Sequence, residues 1–301
     1  MQQETADLAG YEKSDTMKKR LITAAVGVPL AILIIFLGSL TPHVLSAVTD
    51  LFSILAVYEV ISAAKYTHYR SITVLALLFT SLMPLFFCYD TLRDYAIPVS
   101  FVFLTLLCAA ALMRHKEIKF EELGLIAFIS ICIPFSISTL AYFSFQWPEH
   151  GIFFLVYTLA VAWIADGGAY FAGTFLGKHK LCPEISPKKT WEGFFGGLIA
   201  AVIFAIILGF GYELWDMTYH GKQTFTVNIP ILIIAAVIST FLGLLGDLIA
   251  SLLKRQCGVK DFGNILPGHG GVMDRFDSVL FVAPFVYLFF KMLFPITEVV
   301  L

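Results

Sequence analysis

Four aspartates, Asp166, Asp247, Asp274 and Asp277, stand within or beside strongly apolar stretches of this 301-residue chain. A charged side chain at the centre of a bilayer costs about 3 kcal/mol even on lenient scales, so one that is kept there is seldom idle. Asp274 and Asp277 are three residues apart and share a face if that stretch is helical. Carboxylate oxygens are the ligands that a hard cation such as Mg²⁺ takes. Interleaved with them are Lys188, Lys189, Lys254, Arg255, Lys260 and Arg275. Arg offers phosphate a planar fork, and Lys offers it a point charge. Gly263, Gly268, Gly270 and Gly271 surround His269, and glycine lets backbone N–H groups approach an anion closely. Each feature also has a plain structural explanation: ion pairs for the carboxylates, topology for the lysines, a tight turn for the glycines. His269 serves equally as a donor to phosphate or as a brace for its loop. Their interleaving favours a site.

Several chemistries lack their residues. GxGxxG, HExxH and GxSxG are absent, and Gly173-x₃-Gly177-Lys178 is one residue short of a P-loop, with no Ser or Thr after the lysine. No nucleophile–base pair stands out. Phosphoryl-type chemistry remains, in which positioning and charge neutralisation do most of the catalysis.

The elements that carry these residues follow from composition. The chain is 58% apolar and 14% charged, whereas a soluble domain runs at about 25% charged, so lipid is the expected solvent. Runs near 21–40, 43–64, 71–89, 95–112, 123–145, 152–173, 193–212, 229–250 and 278–295 approach the roughly 20 residues that a hydrocarbon core requires. The expected fold is an all-α, polytopic transmembrane helical bundle of about nine spans. A polar segment, 1–20, leads into five helices over 21–150, and a catalytic region over 151–301 carries long loops at 174–192 and 251–277. The start is polar and partly acidic, unlike a signal peptide, so the first apolar run is expected to stay as a helix. With a cytoplasmic N-terminus, seventeen of the twenty Lys and Arg residues fall on the inner side and only Arg93 and Lys222 on the outer, with Lys291 near the outer end of the last span. That asymmetry orients the protein. The five cysteines show no metal or redox spacing and read as apolar filler. The net charge of −2 argues neither for nor against nucleic acid.

Ser251-x₂-Lys254-Arg255-x₄-Lys260-Asp261-x₅-Pro267-Gly268-His269-Gly270-Gly271-x₂-Asp274-Arg275-x-Asp277 closely resembles the signature of phosphatidate cytidylyltransferases (CDP-diacylglycerol synthases). Asp166-x₂-Ala169-Tyr170, Gly177-Lys178 and Ser186-Pro-Lys188-Lys189-Thr190-x-Glu192-Gly193 resemble that family's other recurring motif. The resemblance covers roughly 160–280. One departure is Ala250, where many bacterial relatives have Glu, so no ligand role falls on that position. The resemblance implies transfer of a cytidylyl group from CTP to phosphatidate with Mg²⁺, at a site on the cytoplasmic face of the cell membrane. It assigns the metal to Asp247 and Asp274, assisted by Asp277 and Asp166. It assigns phosphate neutralisation to Lys254, Arg255, Lys260 and Arg275, and catalytic or loop duty to His269. Substrate contacts then fall to Tyr170, Lys178, Ser186, Lys188, Lys189, Thr190, Ser251, Gly270 and Gly271. The partners expected are CTP, phosphatidate and the bilayer, with no nucleic acid; a homodimer is left open. A CTP-dependent polyprenol or diacylglycerol kinase is the nearest alternative. A secondary transporter is a distant one, because the unusual residues gather at one surface and no internal repeat is visible.

Overall fold

Among the described residues, each of the nine apolar runs falls mostly in a helix. The structure, a computed structural model, describes residues 25–266, 268 and 270–299. The polar segment 1–20, the first residues of the first run and His269 lie outside the described residues. Seven helices are long and apolar enough to cross a membrane: α2 (Pro42–Ala63), α3 (Arg70–Cys88), α5 (Ala96–Met113), α6 (Phe120–Gln146), α7 (Gly151–Leu176), α8 (Trp191–His220) and α9 (Ile229–Gln256). Two apolar helices are shorter, α1 (Ala25–Leu40) and α11 (Val279–Met292). One-turn helices α4 (Asp90–Arg93) and α10 (Met273–Phe276) and a 3₁₀ turn at Tyr66–His68 complete the helical set among the described residues. The protein is an all-α membrane bundle.

Three features depart from the hydropathy reading. Helix α9 continues to Gln256, so Ser251, Lys254 and Arg255 project from a helix rather than a loop. The segment after α7 folds into a hairpin, β1 (Lys180–Cys182) antiparallel to β2 (Ser186–Thr190), with Lys180 opposite Thr190. Helix α8 runs on to His220, where Gly221 (φ 69°) supplies the left-handed turn that ends it. Apolarity marks where lipid is, and a helix that continues into water leaves no trace in it. A second small sheet pairs β3 (Phe225–Val227) with β4 (Ile296–Glu298), tying the end of the described chain to the α8–α9 connection.

Helix α2 packs against α3 and α6, and α11 against α6 and α9. Tyr157, Phe143, Phe154 and Phe290 are fully buried at the centre, and the Tyr157 hydroxyl donates to the Leu232 carbonyl at 2.6 Å. Helix α5 is peripheral: of its side chains only Phe103 and Leu107 are buried, with Phe103 stacked on Phe79.

The closest helix pair is α7 with α8, and small residues make it so. A Cβ on Gly197 would overlap the Ala165 carbonyl oxygen, one on Gly193 would lie 2.7 Å from the Ala169 carbonyl, and one on Gly168 would lie 2.7 Å from the Ala200 methyl. Membrane helices lacking a hydrophobic drive toward each other associate through such close backbone approach. Replacing Gly197 by Leu should therefore lower stability by about 1–3 kcal/mol, the usual cost of overpacking, seen as a lower unfolding temperature in detergent than for the wild-type protein.

Candidate functional site

Where α7, α8 and α9 converge beneath the β1–β2 hairpin, the close α7–α8 packing gives way to a cavity of about 610 Å³. Its mouth carries Lys180, Lys188 and Lys189 from the hairpin and Arg275 from α10. Its carboxylates are Asp166 from α7, Asp247 from α9, Asp274 from α10 and Asp277 just beyond it. Gly197, Phe194, Thr240 and Leu244 form its less polar part. A cavity of about 850 Å³ lies elsewhere, lined by Leu40, Ile152, Phe204 and Trp215 with Glu149 as its one charged residue. Volume favours the second and chemistry the first, because only the first gathers opposite charges.

Each element delivers its side chain for a local reason. Thr190 ends β2 and begins α8: its Oγ1 accepts from the Gly193 N–H at 3.1 Å, a helix N-cap. Glu192 accepts from the Lys178 N–H at 3.1 Å and pairs with His179 Nδ1 at 2.6 Å, fixing the hairpin to the helix. Lys189 consequently reaches α9 and forms an ion pair with Asp247. Ser251, one turn on from Asp247, lies at 3.4 Å from it.

Asp274 is embedded. Its Oδ1 accepts from Lys254 Nζ at 2.8 Å, and its Oδ2 accepts from the Phe262 and Gly271 N–H groups at 2.9 and 3.0 Å. Lys254 also sits over the Phe262 ring, 5.3 Å from its centroid, and 4.0 Å from Asp277. Asp277 is buried and accepts from the Ser278 N–H at 2.8 Å, while the Ser278 hydroxyl donates to Asp166 at 3.0 Å. Burial first, then the nearby Asp247 carboxylate, pushes Asp277 above the ordinary carboxylate range, against the pull of Lys254. Asp166, Asp247 and Asp277 therefore repel one another across one space, an arrangement that added positive charge relieves.

Of the residues singled out from the sequence, Asp166, Tyr170, Lys188, Lys189, Thr190, Asp247, Asp274, Arg275 and Asp277 line this cavity. Lys254 touches it through Asp274. Lys178 and Ser186 belong to the hairpin and its entry, outside the lining; Arg255, in the last turn of α9, and Lys260, beyond its end, are exposed and also outside it. Gly270 takes φ 85°, a left-handed turn, and its carbonyl accepts from the Leu266 N–H at 2.9 Å. Gly271 gives its N–H to Asp274 rather than presenting it to the cavity. His269 lies outside the described residues. Among the described residues no three acidic, His or Cys side chains form a ready-made metal cluster. Asp247, Asp274 and Asp277 share a cavity without converging on one point.

One charged residue was overlooked in the sequence. Glu59, in α2, is 3% exposed, and its two oxygens accept from the Val272 and Met273 N–H groups at 3.0 and 2.9 Å. Its signal was available: a carboxylate inside the run 43–64 carries the same cost as Asp166 or Asp247. Lys180 was likewise counted only for topology.

The comparisons with known proteins agree with this geometry. The model of the cytidylyltransferase family matches residues 18–293. The chain is 36% identical over 281 residues to the phosphatidate cytidylyltransferase of Bacillus subtilis, covering 90% of this chain and 96% of that one. It is 47% identical over 134 residues to the enzyme of the same name from Staphylococcus haemolyticus, covering 44% and 47%. It is 44% identical over 143 residues to that from Haemophilus influenzae, covering 48% and 47%. A match over nearly its whole length, on a bundle whose charges converge as described, means that the chain belongs to the cytidylyltransferase family.

Proposed function

We propose that this protein transfers the cytidylyl group of CTP to phosphatidate, giving CDP-diacylglycerol and pyrophosphate, at the cytoplasmic face of the cell membrane. One observation carries the reading: a single cavity at the charge-rich end of a membrane bundle holds Lys188, Lys189 and Arg275 opposite Asp166, Asp247 and Asp277. Such a cavity suits two polyanions, one arriving from water and one from the bilayer.

The chemistry needs no strong base. An oxygen of the phosphatidate phosphate is already ionised at neutral pH and attacks the α-phosphorus of CTP. The new P–O bond forms as the bond to the β-phosphate bridge breaks, and pyrophosphate leaves with that electron pair. The barrier lies in bringing like charges together, so fixed cations in a low-dielectric site do the work. Lys188, Lys189 and Arg275 neutralise phosphate oxygens at the mouth. Asp274 holds Lys254 in place rather than contacting substrate, and Asp247 orients Lys189 until phosphate competes for it.

Mg²⁺ fits this donor set in its usual manner, through one or two carboxylates together with substrate phosphates rather than an all-protein cage. Asp247 and Asp277 are the residues we assign to it, with Asp166 beside them. Asp274, given to the metal by the family resemblance, would have to release Lys254 to join them. Bound there, the ion would offset the charge that builds on the transferring phosphate.

Purified protein in detergent, given CTP, phosphatidate and Mg²⁺, should release pyrophosphate and form CDP-diacylglycerol in equal amounts; release of CDP with a newly phosphorylated lipid would establish a kinase instead. Chelation of divalent cations should abolish turnover, and Mg²⁺ should restore it. Asp247→Asn and Asp277→Asn should each lower kcat/KM by about a hundredfold, the scale of losing one transition-state electrostatic contact, with the protein still inserted in the membrane. Asp274→Asn should lose as much activity and unfold at lower temperature as well, because the one remaining acceptor oxygen cannot serve both Lys254 and the Phe262 and Gly271 amides.

A further inference from the structure

The cytidylyl-transfer reading leaves Glu59 without a role. It sits in α2, belongs to no recurring motif quoted above, and does not line the cavity. Yet it is a buried carboxylate on a membrane helix, and both its oxygens are spent on consecutive backbone amides, Val272 and Met273. Two glycines make room for it. A Cβ on Gly263 or on Gly271 would overlap the Glu59 carboxylate, and neither glycine has the positive φ that would otherwise require glycine. The loop is therefore shaped around this side chain.

Glu59 acts together with Asp274. Asp274 takes the Phe262 and Gly271 amides, and Glu59 takes the next two, Val272 and Met273. Two carboxylates from separate elements thus hold four amides of one loop. Asp274 also grips Lys254, and the residues immediately after Met273 deliver Arg275 and Asp277 to the cavity. Hydrogen bonds to an ionised acceptor are roughly twice as strong as neutral ones.

We infer that Glu59 is a positioning residue: its carboxylate pins the 262–273 loop to α2 and so keeps Lys254, Arg275 and Asp277 in the arrangement that receives substrate phosphate. Glu59 touches no reacting atom. Without it the loop occupies that arrangement for only part of the time, and apparent affinity falls by the lost fraction. Saturating substrate draws the loop back, so the turnover number is largely kept. General misfolding does the reverse, removing active molecules while leaving KM alone.

The test uses the full-length protein in detergent. In Glu59→Ala, hydrogen exchange at the Val272 and Met273 amides should rise about tenfold or more while α7 and α8 stay protected. The KM for CTP, for phosphatidate, or for both should rise about tenfold, with kcat falling less than threefold. Gly263→Ala displaces the carboxylate without deleting it and should reproduce both effects. Combined with Glu59→Ala, it should add almost nothing, since its clash has gone. If Glu59→Ala folds poorly, Gly263→Ala and Glu59→Gln carry the same comparison, with Gln keeping one of the two acceptors and an intermediate effect. Unchanged exchange at the two amides, a loss of kcat alone with both KM values intact, or full additivity of the two substitutions would overturn the inference. The kinetic arm rests on the proposed reaction and the exchange arm does not, so wild-type protein that fails to make CDP-diacylglycerol would discredit the former reading while leaving the clamp open to test.

Discussion

The structure turns on carboxylates that hold backbone amides at the edge of a membrane. The 262–273 loop carries four glycines between 263 and 271, whose backbone no side chain restrains. It is ordered from outside, by Glu59 on α2 and Asp274 on α10, which together accept from four of its N–H groups. A buried amide left without an acceptor costs about 1–3 kcal/mol, so this arrangement decides where the loop lies. The cavity's α10 wall follows from that position: Lys254 is steered by Asp274, Arg275 leaves the one turn of α10, and Asp277 follows just beyond it.

The opposite wall is built on another principle. Helices α7 and α8 meet through glycine and alanine, and the hairpin between them is locked to α8 by Thr190 and Glu192. Close packing lets Lys189 of the hairpin reach across to Asp247 on α9. The result is a cavity with a closely packed side and a tethered side, and two of its cations are paired within the protein. Lys189 with Asp247 and Lys254 with Asp274 lower the cost of isolated charges at low dielectric. Phosphate that takes Lys189 exchanges one anionic partner for another and releases the Asp247 carboxylate into the cavity.

Much of this was legible in the residues. Among the described residues the apolar runs fall mostly in helices because the cost of unsatisfied backbone in lipid leaves few alternatives. Asp166, Asp247 and Asp277 could be picked out because a charge near lipid needs a reason, and they line one cavity. What the chain did not disclose was pairing. Asp274 read as a metal ligand because its type and company fit one; that its oxygens are taken by Lys254 and two amides depends on a fold-back from α9 to α10 that no spacing encodes. Gly271 read equally as a donor to an anion or as part of a tight turn; its N–H goes to Asp274, and the space a side chain would fill is taken by Glu59. Glu59 itself is 213 residues from the amides it holds, and short-range pattern has no view of such a partner.

That separation has a consequence for biosynthesis. Chains grow at about 5–20 residues per second, so Glu59 emerges roughly 10 to 40 s before Val272 and Met273 are made. Throughout that interval it is an acid on a newly inserted helix, waiting near the membrane surface for its acceptor role. The segment at Val272 and Met273 thus completes a contact whose other half was made with one of the early helices, and until it emerges Glu59 lacks the two amides that hold it in the folded protein.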